Sequence, residues 1–327
     1  MRAVRVSTFG PPDVLRIEEA PEPAPAVGEV LVDVELAGVG YGDVIVRSGR
    51  YPFPRPYVPG LEVGGIVAAV GPGVDPALTG RRVVATTTGM TGGYAERALA
   101  SAGDVHEVPR DLPLDRAVAV FQAGAVAVGL LSAIRLRRGE TVLITAAAGR
   151  IGSLLVQRAR SAGAGLVVAA VGSAEKAAAA REFGAHVVVD HRTEDWAEQV
   201  RAATGGRGTD VTLDAVGDSV GAEALAATAD GGGRFGLYGF TSGSWVELDA
   251  YQIGRRGISV VGALGIAFAK PHGERRADAA GALRAAAAGE LAPRIHGTYA
   301  LEDAAEAHTV LEKGGNIGAL LLTTGRP

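Results

Sequence analysis

The chain has 327 residues, 47% of them hydrophobic and 21% charged, the composition of a folded globular protein long enough for two cores. A net charge of -4 leaves no basic footprint for nucleic acid, and 0 cysteines exclude disulfides, thiolate metal sites and a cysteine nucleophile. The opening "MRAVRVSTFGPP" lacks the apolar core of a signal peptide and no segment is expected to span a membrane, so the sequence predicts a cytoplasmic protein.

Taken from the front, "GEVLVDVELAGVGYGDVIVRSG", "LEVGGIVAAVGPGV" and "GRRVVATT" read as short strands between turns, which makes a β-rich first domain. From about Ala117 the character changes. The helical run "AVAVFQAGAVAVGLLSAI" precedes an alternation of apolar strands and alanine-rich helices: "TVLITA", "IGSLLVQRARSAGA", "GLVVAAV", "AEKAAAAREFGA", "HVVVD", "WAEQVRAATGG", "DVTLDAV", "GAEALAATAD" and "GGRFGLYGF". Strands alternating with helices of this length predict a parallel sheet covered on both faces. The tail from Lys270 onward, with "LEDAAEAHTVLEK" as a helix and "IGALLLTT" as a strand, continues neither pattern and is expected to return to the first domain. The expected boundaries are 1–118 with 267–327 for the β-rich domain and 119–266 for the α/β domain.

Between the strand Val142–Thr145 and a helix marked by Ile151, Leu154, Leu155, Arg158 and Ala159 lies a turn of residues with little side chain. Ala147, Gly149 and Gly152 occupy the three glycine places of the dinucleotide fingerprint. Ala147 serves the tight turn, Gly149 lets the backbone approach a pyrophosphate, and Gly152 lets the helix pack on the strand. The helix then points its free N–H groups and positive dipole end at the anion. An ordinary packing turn uses the same residues, so the context decides.

About twenty residues on, a NAD-binding fold places an acid at the end of the next strand to hold the ribose. Here "GLVVAAV" runs into "GSAEK", with no acid at Gly172 and with Ser173 and Lys176 offering a donor and a cation. Ser173 is also a good helix cap, and Lys176 a residue that water alone could satisfy. A lysine in the first turn opposes the helix dipole unless an anion sits there, and the 2′-phosphate of NADPH would be that anion.

Several stretches in order carry a resemblance that covers nearly the whole chain: "GPPDVLRIEEAPEPAP", "GEVLVDVELAGV", "DVIVRSGRYP", "VPGLEVGGIVAAVGPGV", "GGYAE", "AAAGRIGSLLVQRARSAGA", "GSAEKAAAAREFGAHVVVDHR", "LDAVG" and "LEDAAEAH". The sequence resembles the zinc-free quinone oxidoreductase branch of the medium-chain dehydrogenase/reductase superfamily. The resemblance implies an α/β protein, a Rossmann doubly wound parallel sheet domain inserted into a β-rich GroES-like catalytic domain. It also implies a homodimer that uses NADPH to reduce quinones or α,β-unsaturated carbonyl compounds, with no membrane or nucleic-acid partner.

Residue by residue, Gly149, Arg150, Ile151 and Gly152 match the pyrophosphate turn, and Gly172, Ser173 and Lys176 match the 2′-phosphate site. His191 stands where many relatives have a cofactor-stacking Tyr. Gly239, Phe240 and Thr241 match the loop beside the nicotinamide, and Asn316 a late cofactor contact; Tyr41 is a second candidate for proton donor, read rather as a cofactor contact. The family's Asn-x-x-Asp is Gly40-Tyr41-Gly42-Asp43 here, so its Asn is lost, and a Thr common before the nucleotide domain is Val126. Both changes make the pocket more apolar. Zinc-dependent relatives carry a Cys and a His where this chain has Gly40 and Leu61. His106, His186, His272, His296 and His308 have no ligand spacing either, so no metal is expected. Tyr51 in "RSGRYP" matches the Tyr proposed as proton donor in the superfamily's enoyl reductases; packing against "PFPRPYVP" is the other role open to it. The expected function is NADPH-dependent hydride transfer to a quinone or enone. The alternatives are reduction of an enoyl-thioester or polyketide intermediate, and a non-catalytic NADPH-binding protein.

Overall fold

The computed structural model describes residues 1–325, which form two compact units. Among the described residues, one contains 1–122 and 283–325, the other 123–282. In chain order the first unit contributes β1 (Arg2–Val6), β2 (Leu15–Glu19), β3 (Glu29–Val39), α1 (Tyr41–Arg47), β4 (Glu62–Val70), β5 (Arg82–Thr87) and β6 (Arg97–Glu107). Helix α2 (Leu114–Ala133) begins in the first unit and ends in the second. There follow β7 (Thr141–Ile144), α3 (Arg150–Ser161), β8 (Leu166–Val171), α4 (Ala174–Glu182), β9 (Val187–Asp190), α5 (Trp196–Ala203), β10 (Val211–Asp214) and α6 (Asp218–Ala226). The second unit continues with β11 (Arg234–Leu237), α7 (Ala250–Arg256), β12 (Ser259–Val261) and α8 (Ala263–Phe268). Helix α9 (His272–Ala287) crosses back, and β13 (Ile295–Ala300), α10 (Ala304–Glu312) and β14 (Ala319–Thr323) complete the first unit.

The first unit is built on a mixed sheet of order β13-β14-β3-β4-β5-β6, in which β6 also pairs with β3, so that β3 to β6 close on themselves. Closure brings backbones close: a Cβ on Gly65 would lie 1.9 Å from the Asp33 carbonyl oxygen, which explains glycine in the middle of β4. Inward valines, among them Val30, Val32, Val34, Val63, Val67 and Val83, fill the core with Tyr94, Leu301, Leu320 and Leu322. β14 reaches this sheet antiparallel to β3, with Leu322 opposite Ala37.

The second unit is a wholly parallel sheet of order β12-β11-β10-β7-β8-β9. Strand order reverses between β7 and β10, and in such sheets ligands bind at the carboxyl ends of the strands beside that reversal. Leu143, Val168, Ala170, Trp196, Val200 and Phe235 form its core. Each large apolar side chain fully buried there contributes about 1.5–3 kcal/mol.

Two expectations are corrected. The stretch "YGDVIVR", read as part of a strand region, is helix α1: the Asp43 carboxylate accepts the Gly40 N–H at 3.0 Å and so starts the helix, burying Val44 and Arg47. A short apolar run such as Val44-Ile45-Val46 does not by its period separate so short a helix from a strand. In addition, α2 is long and apolar enough to cross a membrane, contrary to the sequence expectation; 67% of that stretch is buried inside the protein, as in a core helix.

Candidate active site

The second unit gathers most of the candidate residues at the carboxyl ends of its strands. After β7 the chain turns through Ala146, a non-glycine residue at φ 48°, and enters α3 at Gly149. The left-handed residue is therefore Ala146 and not Ala147, which is completely buried. The Ala146 carbonyl faces the new helix, and a Cβ on Gly152 would lie 2.2 Å from it; on Gly149 the distance would be 3.2 Å. Glycine at 152 is thus required by the close approach of helix and turn. No side chain caps α3 and no acid stands in its first turn, where Arg150 and Ile151 follow Gly149. That leaves backbone donors and the positive dipole end for an anion.

After β8, Ser173 caps α4 by accepting the Lys176 N–H at 3.2 Å. Lys176 is half-buried, and loss of water lowers its ammonium pKa, with Glu175 opposing. His191, just after β9, lies on Gly172: a Cβ there would come within 3.0 Å of His191 Nε2. Burial lowers the pKa of this imidazole. Gly172, Ser173, Lys176 and His191 therefore form one group at the ends of β8 and β9.

At the strand reversal a buried clamp joins β7, β10 and β11. The Thr145 hydroxyl donates to Asp214 Oδ1 at 2.7 Å and accepts the Ala215 N–H at 2.9 Å, while the Tyr238 hydroxyl donates to the Thr145 carbonyl at 3.2 Å. Asp214 also accepts the N–H groups of Val216 and Gly217, yet loss of water still raises its pKa. The loop Gly239–Thr241 hangs from this clamp, since the Thr241 N–H bonds the Ala215 carbonyl at 2.9 Å. Phe240 packs on Trp245 with ring centroids 4.6 Å apart. Val126 sits on α2, 9% exposed.

The remaining candidates belong to the first unit. Tyr41 opens α1, and its hydroxyl accepts from Arg50 at 3.4 Å. Tyr51 is 58% exposed, in the segment between α1 and β4. Asn316 is 6% exposed and its amide donates to the Gly318 carbonyl at 2.8 Å, shaping the turn before β14.

Sequence reasoning passed over a polar cluster around Asp43. Besides Gly40, the Asp43 carboxylate accepts the Gly60 N–H at 3.1 Å and the Tyr94 hydroxyl at 3.3 Å. Asp43 is only half-buried as a residue, yet its carboxyl has lost enough water, with Glu62 nearby, to stand at about 6 despite those bonds. Tyr94 and His308 are fully buried, 3.2 Å apart from Oη to Nε2. "GGYAE" and "LEDAAEAH" contain both residues, but nothing local in either stretch announces the pairing. Among the described residues, no group of three or more His, Cys, Asp and Glu is placed to hold a metal.

Comparison with known proteins agrees with this division of the chain. Residues 26–110 match the alcohol dehydrogenase GroES-like domain family, and residues 151–284 match the zinc-binding dehydrogenase family. The chain is 32% identical to a quinone oxidoreductase of Rattus norvegicus over 98% of its own length and 97% of that protein's. A 2-haloacrylate reductase of Burkholderia sp is 37% identical over 64% of each chain. The fold is similar to that of Escherichia coli quinone oxidoreductase complexed with NADPH, with a TM-score of 0.91, 28% identity, and coverage of 99% of this chain and 100% of that one.

Proposed function

Because the chain belongs to the quinone oxidoreductase family of medium-chain dehydrogenase/reductases, we propose that it is an NADPH-dependent reductase of quinones and α,β-unsaturated carbonyl compounds that works without zinc. The observation that carries this reading is the edge of the parallel sheet. There an uncapped helix N-terminus behind Gly149 stands at one strand end, and a half-buried Lys176 beside Ser173 and Gly172 at the next. These residues fit a dinucleotide that ends in a 2′-phosphate. The backbone N–H groups of α3 would hold the pyrophosphate, Gly152 would keep them close, and Lys176 with the Ser173 hydroxyl would hold the extra phosphate. When bound, NADPH supplies a hydride.

Tyr51 supplies the matching proton, its Oη donating to the enolate oxygen or carbon left after hydride addition to an enone. A hydroquinone anion is stable enough to take its proton from water. Gly40 and Leu61 replace the Cys and His that zinc-dependent relatives use, so the charge left on the acceptor is spread by conjugation instead of held by a Lewis acid. Similarity to a 2-haloacrylate reductase favours conjugated acids as further acceptors. The reading includes a cytoplasmic homodimer, for which the open edge of β12 in the parallel sheet is the natural seam.

The test is NADPH oxidation, followed at full protein length, against a panel of quinones and enones before and after exhaustive chelation. Turnover on at least one acceptor, unchanged by the chelator, is expected. Tight NADPH binding with no turnover on any acceptor would overturn the catalytic reading, and loss of activity on chelation the zinc-free one.

A further inference from the structure

The reaction leaves unexplained several buried polar atoms in the first unit. Arg47 on α1 is fully buried; its Nη2 pairs with Glu312, while Nε and Nη1 have no protein partner. His308 stands one helical turn before Glu312 on α10, also fully buried, and its Nδ1 has none. The buried hydroxyl of Tyr57 is in the same condition. Residues four apart share one face of a helix, so Arg47, reaching Glu312, lies along the face that carries His308. Its charge acts on both His308 and Tyr57.

Hydrogen-bond direction can be worked out from the partners. Tyr94 has one hydroxyl proton and donates it to Asp43 Oδ2, which as a carboxylate can only accept. The same oxygen must then accept from His308 Nε2, so the ring proton sits on Nε2. Burial and the nearby Arg47 charge keep the ring neutral, holding its pKa down at about 3. Nδ1 is therefore a bare acceptor, and the N–H groups of Arg47 along the same face are bare donors. A single water can accept from Arg47 and donate to Nδ1, with a second donor or acceptor site for Tyr57.

We propose that Arg47, His308 and Tyr57 hold an internal water, and that this water completes a one-way hydrogen-bonded chain from Arg47 through His308 and Tyr94 to the Asp43 carboxylate, which makes His308 a positioning residue. Asp43 in turn fastens two backbone positions, Gly40 before α1 and Gly60 after the loop that carries Tyr51. Keeping Asp43 ionised keeps that loop anchored at both ends. Glu62 on β4 works against ionisation, whereas Tyr94 and the two backbone N–H groups favour it. Below about pH 6 the carboxylate takes up a proton and its hold on the loop slackens.

Two measurements test the chain. The ring nitrogens of His308, read by ¹⁵N NMR in the full-length protein with NADPH bound and assigned by comparison with His308→Gln, should show the Nε2–H tautomer and no imidazolium down to pH 5. An Nδ1–H tautomer, or a ring charged by pH 6, would overturn the proposal without any reference to turnover. The second measurement rests on the reductase reading and follows kcat/KM for an enone, the acceptor that needs the Tyr51 proton, against pH. Tyr94→Phe and His308→Asn should move the acid limb upward by about one pH unit, as loss of a hydrogen bond to a charged group requires. His308→Gln, whose amide nitrogen stands near the place of Nε2, should restore it. Identical limbs in all variants would overturn the positioning role, whereas absence of enone turnover in the unaltered protein would count against the function alone. Crystallographic density between Arg47 and His308 should show the water, and a direct Arg47–His308 bond would remove it.

Discussion

The sheet edge of the second unit and the polar cluster of the first use opposite means. At the edge the working parts are backbone and missing side chains: Gly149 and Gly152 make room, and no side chain caps the start of α3. In the cluster the working parts are side chains buried against one another, with Asp43, Tyr94 and His308 each satisfying the next. A site of the first kind fails when an atom is added. A site of the second kind fails when a polar atom is removed, because its partner is left buried and alone. The first also depends on a bound anion, so salt and cofactor identity reach it, while the second is sheltered from both.

Substitutions can break or sharpen that contrast. The largest effect is expected at Tyr51, an exposed side chain given a chemical task. Tyr51→Phe should lower turnover on an enone by roughly 10²–10⁴, the usual weight of general acid catalysis, and on a quinone far less. Equal, wild-type turnover on both acceptors would return the proton to solvent. Next comes Gly152→Ala, where one methyl would meet the Ala146 carbonyl at 2.2 Å. Overpacking of this sort costs about 1–3 kcal/mol, read as a lower urea midpoint together with weaker NADPH binding. Gly149→Ala, with 3.2 Å to spare, should be milder. If the two are alike, crowding is not what selects glycine.

Lys176→Ala should weaken NADPH binding by about one to two decades, the worth of a hydrogen bond to a charged group, and leave NADH nearly unchanged. Equal losses for both cofactors would mean that the lysine supports the fold. For the buried cluster, pH is the sharper tool. His308 is held at about 3, below its usual 6.5, so the unfolded chain binds a proton that the folded one refuses. Its contribution to stability is complete above pH 6.5 and is lost as pH falls toward 3. Asp43, raised to about 6 from 3.8, acts oppositely: its contribution is present below 3.8 and is lost as pH rises through 6. Denaturant titrations of His308→Gln between pH 6.5 and 4 should therefore show less acid loss than the unaltered protein, by at most about 1.4 kcal/mol per pH unit. An unchanged slope would mean that the ring is charged in the fold. The smallest effect is expected at Arg150→Ala, a modest weakening of NADPH binding visible at low ionic strength and screened at higher salt. An unchanged KM for NADPH at low salt would remove Arg150 from the site.

The two regions also differ in how far the sequence reveals them. The parallel sheet was legible because each strand, turn and helix is a contiguous stretch with its own period, and the fingerprint turn lies within six residues from Ala147 to Gly152. The group at Gly172, Ser173 and Lys176 follows the same local logic, and resemblance added the loop at Gly239. The positive φ at Ala146 was not legible, since alanine gives no sign of it. The cluster was not legible. Tyr94 lies 51 residues from Asp43 and 214 from His308, and only the folded sheet brings them together. Asp43 was noticed as half of a motif, but its bonds to Gly40 and Gly60 depend on α1 being a helix, which the short β-branched run Val44-Ile45-Val46 concealed.

The return of the chain into the first unit has a consequence for biosynthesis. The second unit is continuous, from residue 123 to 282, and can fold as soon as it leaves the ribosome, because domains generally fold as units in order of synthesis. The first unit cannot finish in that order. β14 pairs with β3, and Arg2 on β1 bonds the Thr324 carbonyl at 2.9 Å, so segments made before the second unit are joined by segments made after it. Until then the valines of β3 wait without β14, and Tyr94 without His308. Nascent chains halted before residue 300 should thus hold a protease-resistant second unit beside a first unit that is still open to cleavage.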